Sequence, residues 1–155
     1  MTFVKKTPDS VFDDFVDGVV ERLIKAMINL LEYIGEMCLT EARFGGNYKD
    51  RTGNLRNSIG YIIVQDGKII RENGFDSGMS KTADGRRINP GKEARKFARE
   101  KAREFPEGLV LIMVAGMNYS SYVAAKGYNV IDSAEDTAER LVPQMMKELG
   151  FEIAA

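Results

Sequence analysis

The chain is predicted to be an α+β domain. A small, mainly antiparallel sheet of three to four strands packs against a long N-terminal helix, a short charged helix and a C-terminal helix. Three observations carry this prediction. Apolar residues recur at helical spacing from Phe12 to Met37. Runs rich in β-branched residues flank Asp66-Gly67, the commonest kind of two-residue hairpin signal. A continuous apolar run of seven residues, Leu109 to Ala115, is bounded by glycines and reads as a buried strand. At 155 residues the expectation is one domain spanning 1–155.

Thr7-Pro8-Asp9-Ser10 reads as a helix start, with Thr7 as cap, Pro8 at the first helical position and acids at the positive end of the dipole. Phe12, Val16, Val19, Leu23, Met27, Leu30, Ile34 and Met37 follow at spacings of three and four. Phe15, Val20, Ile24, Ile28 and Leu31 widen that face. The helix is expected to end near Phe44, before Gly45-Gly46-Asn47. Some 35 residues of helix measure roughly 50 Å, more than a domain of this size needs to cover its own core. Two outcomes are open. Part of the helix packs on another subunit, with an exposed apolar strip near Met27 to Met37, or the helix bends or breaks near Gly35 and stays within one subunit.

Ile59 to Gln65 and Lys68 to Glu72 are the two hairpin strands. Asn73 to Pro90 is rich in Gly, Ser, Asp and Arg without periodicity, and is expected to be a mobile loop insertion over 73–90. Gly91 to Glu104 is the short charged helix, with Ala94, Phe97, Ala98 and Ala102 as its inward seam. Leu109 to Ala115 is placed at the centre of the sheet, buried on both faces. Met117 to Gly127 reads as an exposed bend with a turn of helix, and Asn129 to Asp132 as a short edge. Ser133 to Leu149 closes the chain as a helix with Ala134, Ala138, Leu141, Met145 and Leu149 on one face. Pro143 is expected to kink or restart it. The helices are assigned to one side of the sheet.

Composition narrows the chemistry. Histidine is absent and Cys38 is the only cysteine. The commonest general base and the usual zinc ligands are therefore missing. No Ser-His, Cys-His or phosphate-loop pattern occurs. Cys38 falls within a helical apolar pattern and is expected to be a buried small hydrophobe. No catalytic residue, metal, cofactor or small-molecule substrate is expected, and the chain is read as not an enzyme. Carboxylates such as Asp50 or Asp76, or a lysine, are the remaining catalytic options, but nothing sets two carboxylates face to face. No apolar run is long enough to span a membrane. Met1 to Lys6 lacks the apolar stretch of a signal peptide, so the cytoplasm is the default compartment.

The net charge of −1 hides segregation. From Asp9 to Glu41 there are eight acids and two bases; from Lys81 to Arg103, nine bases and three acids; from Asp132 to Glu152, six acids and two bases. Oppositely charged faces attract copies of the same chain or a charged partner. Helices that simply carry solvated charge outside give the same counts without any partner.

The stretch Tyr48-Lys49-Asp50-Arg51-Thr52-Gly53-Asn54-Leu55-Arg56-Asn57-Ser58-Ile59 joins the long helix to the first strand. Thr52 can cap a short turn and Gly53 tolerates angles that other residues avoid. Leu55 then dips into the core while Arg51 and Arg56 point outward. A capped turn with no function of its own accounts for these residue types, since turn chemistry selects Thr, Gly and Asn. The order Arg-Thr-Gly-Asn-Leu-Arg-x-Ser-Ile also resembles the signature of the head–tail joining (tail-completion) family of long-tailed bacteriophages. The hairpin directly after it, Tyr119-Ser-Ser-Tyr122-Val123 after the apolar strand, and the closing helix from Asp132-Ser-Ala-Glu to Glu148-Leu-Gly are similar to further family elements. The likeness covers about two thirds of the chain, Tyr48 to Gly150. Ala124-Ala125-Lys126-Gly127 departs from it, because the family often has an acid and then glycine after tyrosine-valine.

The resemblance implies a structural virion subunit at the neck or tail end, present in the host cytoplasm before assembly. It implies a homo-oligomeric ring that meets the head connector and the tail tube or tail terminator. Arg51, Thr52, Arg56, Arg86, Arg87, Lys92, Arg95, Lys96, Arg99 and Arg103 are the candidate partner-interface residues. The rival reading is a nucleic-acid-binding module using 81–103, with Phe97 or Tyr48 stacking on bases. Glu93, Glu100 and Glu104 interleave with those bases in the sequence, which argues for a protein contact over a phosphate backbone. DNA passing through the neck is then a transient contact.

Overall fold

The computed structural model describes residues 8–45, 49, 53–76, 78–116 and 130–151. In chain order the elements are α1 (Asp9–Phe44), α2 (Asn54–Asn57), β1 (Ile59–Gln65), β2 (Lys68–Asn73), β3 (Ser80–Lys81), β4 (Arg87–Ile88), α3 (Pro90–Ala102), β5 (Leu109–Ala115) and α4 (Asp132–Glu148). Helix and antiparallel sheet combine as expected for an α+β domain.

The main sheet has the order β2-β1-β5, antiparallel throughout. Asp66 and Gly67 turn the β1–β2 hairpin with φ of 50° and 76°, the left-handed pair that a two-residue turn needs to match strand twist. Ile63 pairs with Arg71 but Val64 with Ile69, so Ile70 bulges from β2. The centre of the sheet is β1, not Leu109–Ala115. Six of the seven residues of β1 are buried, whereas β5 is mostly half-buried. β5 reads as fully apolar because both of its faces meet helices, and that does not require a strand on each side.

The helices lie on both faces of the sheet, which corrects the one-sided expectation. Ile59, Tyr61 and Ile63 face α1 and α4, meeting Ile34, Cys38, Leu39 and Ala134. Ile62 and Val64 face the other way, onto Ala94, Ala98 and Ala102 of α3 together with Phe75. The period-two alternation of a strand thus feeds two cores. Alanine on α3 lets that helix approach closely: a Cβ on Gly116, just after β5, would lie 2.2 Å from Ala94 Cα.

α1 is one unbroken helix of 36 residues. Pro8 stands at its N-cap and Asp9 is its first residue; Thr7 lies outside the described residues. Gly35 is not a break. It is buried in mid-helix, where a Cβ would come within 2.8 Å of the Tyr61 ring. The Tyr61 hydroxyl donates to Glu36 Oε1 at 2.6 Å, and Asn73 Nδ2 donates to the same oxygen at 2.5 Å. Arg43 Nη2 donates to the carbonyls of Ile59 and Gly74, fixing the end of α1 to the start of β1.

Asn73–Pro90 is more than an irregular loop. Phe75 is buried in the second core, and β3 and β4 pair as a short ladder, Ser80 with Ile88 and Lys81 with Arg87. α4 runs through Pro143 as a single element. The expected elements over Met117–Gly127, and Asn129 of the expected short edge, lie outside the described residues.

Candidate interaction surface

The basic segment is organised by α3. Asn89 caps this helix, its Oδ1 accepting from Lys92 N at 2.9 Å, and Pro90 takes the first position. Each residue turns the helix by about 100°. Gly91, Ala94, Ala98 and Ala102 therefore fall on the buried side. Lys92, Arg95, Lys96 and Arg99, continued by Arg103 at the C-cap, fall on the adjoining side. Glu93, Glu100 and Glu104 fall beyond them. The glutamates interleave in sequence but not in space, so the case against a phosphate contact that rested on interleaving does not hold. Phe97, expected to point inward, is 43% exposed and lies against Lys101, whose Nζ is 5.8 Å from the ring centroid. Three small alanines already fill the contact with the sheet, and a phenyl ring would force the helix away.

Arg95 differs from its neighbours. It is half-buried, pairs with Glu72 of β2 at 2.9 Å, and lies 5.7 Å from the centroid of Phe75. It joins α3 to the hairpin. Lys92, Lys96, Arg99 and Arg103 are exposed and form no ion pair among the described residues.

Arg86, Arg87 and Lys92 come together although the sequence separates them. With Met79, Thr82, Ile88, Asn89, Glu93 and Gly116 they line an open cavity of about 620 Å³ between the β3–β4 hairpin and the start of α3. Met79 and Ile88 supply apolar wall, and Arg86, Arg87 and Lys92 outnumber the one carboxylate, Glu93, in its lining. Arg86 is bound to Asp84 at 2.7 Å. The Thr82 hydroxyl, and then Arg86, hold the Asp84 carboxyl below the usual carboxylate range.

The motif before β1 serves the fold. Gly53 has φ 73° and starts α2, a conformation that a side chain would oppose. Asn54 is buried and its Nδ2 donates to Lys81 O at 2.9 Å, holding β3 in place. Leu55 enters the core, and Ser58 Oγ donates back to Leu55 O at 2.7 Å. Arg56 is exposed, 5.7 Å from the centroid of Phe44. Arg51, Thr52 and Tyr48 lie outside the described residues, as do Tyr119, Tyr122 and Val123.

A second surface lies on α1. Its buried residues begin at Ile34, and every described residue before Gly18 is exposed. Val11, Phe12, Phe15, Val16, Val19, Val20 and Leu23 are exposed, Phe15 at 64% and Phe12 at 59%. The apolar strip expected over Met27 to Met37 thus lies one to five turns upstream. Within that expected range only Tyr33 and Met37 are exposed large hydrophobics. Asp9, Asp13, Asp17 and Glu21 follow at intervals of four and line up as one ridge beside the strip.

Sequence reasoning missed Met79 and Ile88, because a wall built by chain folding leaves no periodic signal. It could have found the overhang from length. Seven-residue strands span about 23 Å and cover about 15 residues of helix. Arg43 ties the C-terminal end of α1 to the sheet, so the surplus projects at the N-terminal end.

Among the described residues no group of three or more Cys, Asp or Glu side chains is arranged to hold a metal ion, and no helix is long and apolar enough to cross a membrane. No protein-family model, curated protein or solved structure matches this chain.

Proposed function

We propose that the chain is a structural subunit of a tailed phage or prophage virion. In this reading it sits at the neck or tail end and joins the head connector to the tail through ring assembly, without catalysis. The observation that carries the reading is the overhanging part of α1, an exposed apolar strip with an acidic border that no described element packs against. Contiguous exposed apolar bands mark surfaces that meet another protein. The motif resemblance supports it from the sequence side. The test is to remove the gene from a phage or inducible prophage that carries it and image the lysate by electron microscopy. Separate DNA-filled heads and free tails, rescued by the gene in trans, are the expected outcome. Intact virions without it would overturn the reading. Portal, capsid and tail-tube genes are expected beside the coding sequence.

One observation favours a second reading, a nucleic-acid-binding module. Lys92, Lys96, Arg99 and Arg103 form an exposed stripe on α3, and Arg86 and Arg87 line the cavity at its Lys92 end. Such a stripe suits a phosphate backbone, with affinity for duplex of any sequence that falls steeply with salt.

A further inference from the structure

We infer that the overhang of α1 docks on the basic face of α3 in a second copy of this chain, head to tail. The inference deepens the ring-assembly reading and rests on it for self-association. The two surfaces match in charge, in spacing and in length. Asp9, Asp13, Asp17 and Glu21 form an acidic ridge at intervals of four along α1, about 18 Å from first to last. Lys92, Lys96, Arg99 and Arg103 form a basic stripe along α3, about 16 Å from first to last. Four carboxylates face four cations, and all eight side chains are exposed. Beside the acids run Phe12, Phe15, Val16 and Val19; at one end of the basic stripe opens the cavity walled by Met79 and Ile88. An aromatic side chain on an acidic helix suits a cavity with apolar wall and cationic rim.

The geometry rules out the same contact within one chain. α1 and α3 lie on opposite faces of the sheet, held by separate cores. It also disfavours symmetric pairing of two overhangs, which would bring acidic ridges together. A head-to-tail contact leaves each copy with one surface to give and one to receive, so it propagates until a ring closes or a filament grows.

The test uses two variants of the full chain. Phe12→Asp/Phe15→Asp disables the overhang and keeps the receiving face. Lys96→Glu/Arg99→Glu disables the receiving face and keeps the overhang. Both pairs are solvent-exposed, so circular dichroism should show each variant folded as the parent. In sedimentation velocity the parent should assemble with rising concentration, and each variant alone should associate at least about tenfold more weakly. An equimolar mixture should give a one-to-one pair that grows no further, since only one intact half remains on each partner. Adding Asp13→Lys/Asp17→Lys to the second variant should restore self-association. A parent that stays monomeric at every concentration overturns the inference. So does a mixture that fails to pair, or a second variant that still assembles, which points to symmetric overhangs. Loss of duplex-DNA binding in that variant with assembly unchanged overturns it as well, in favour of a nucleic-acid face. Failure to complement while the parent still forms rings removes this contact and leaves the virion reading standing. Imaging of lysates scores that reading separately.

Discussion

Gly35 and Tyr61 show how one contact sets the packing of the main core. The glycine removes a side chain from the middle of α1 so that the phenol ring can lie against the helix backbone. Gly35→Ala should destabilise the domain by about 1–3 kcal/mol through overpacking, despite the better helix propensity of alanine. Denaturant unfolding would measure it. The ring also carries a pH signature. Burial first, and then the hydrogen bond to Glu36, push the Tyr61 phenol well above its ordinary value. In the unfolded chain that phenol ionises near about pH 10. Above that pH the unfolded state has lost a proton that the folded state still holds, so stability falls as pH rises. Burial pushes the Cys38 thiol in the same direction. Tyr61→Phe should flatten the alkaline limb of a stability–pH profile above about pH 10, while the contribution of Cys38 stays in place. An unchanged slope would mean that Tyr61 ionises in the folded protein. Cys38 itself donates to Ala134 O at 3.3 Å inside the core. It should resist thiol reagents until the protein unfolds.

Among the elements, α1 is the one whose two halves do different things. Its C-terminal half is core, and its N-terminal part touches nothing that a core needs. Among the described residues, deleting 8–23 removes no buried or half-buried side chain, since Gly18, the one position not exposed, has none. The thermal midpoint should move little, while Leu55→Ala, at a fully buried position, should cost about 2–5 kcal/mol. Differential scanning calorimetry on the two variants separates overhang from core. The elements also show what the sequence made legible. The Asp66-Gly67 hairpin was readable because two successive left-handed residues leave few alternatives. The limits of α1 were readable from its apolar spacing and the glycines after Phe44. The order of the strands was not. β1 and β5 are both apolar on both faces, so hydrophobicity cannot say which is central. Connectivity decides: β1 is bound to β2 on one edge by the tight turn, which leaves its other edge for β5. The basic stripe of α3 was hidden in plain arithmetic, since turning each residue by about 100° sorts the cations from the glutamates. The cavity beside it was beyond reach, because Met79 and Gly116 meet only through folding.

For the molecule as a whole, the overhang sets the shape. A compact chain of this length has a radius of gyration of about 15 Å. Residues 9–23 extend α1 by about 22 Å beyond its covered part, so small-angle scattering at concentrations too low for assembly should exceed the compact value. A result at the compact value would mean that α1 folds back on its own domain. The charge pattern makes a second prediction at this level. Acidic α1 and basic α3 sit on opposite faces, so the molecule carries a dipole across its sheet. Association driven by that pattern should weaken as salt rises, whereas association through the apolar strip alone should strengthen or stay level. Sedimentation across an ionic-strength series distinguishes the two.

The continuity of α1 has a consequence for its angular phase. No break separates the projecting half from the half clamped against β1, so the direction in which Phe12 and Phe15 point is dictated by Ile34 and Cys38 in the core. One alanine inserted between Leu23 and Met27 would swing the whole projection by about 100° and carry the acids to where the phenylalanines had been. Eleven inserted residues would return it almost to its starting angle, displaced outward by about 17 Å. The helix thus acts as an indexed shaft. Its position in the core is read out, turn for turn, at its far end.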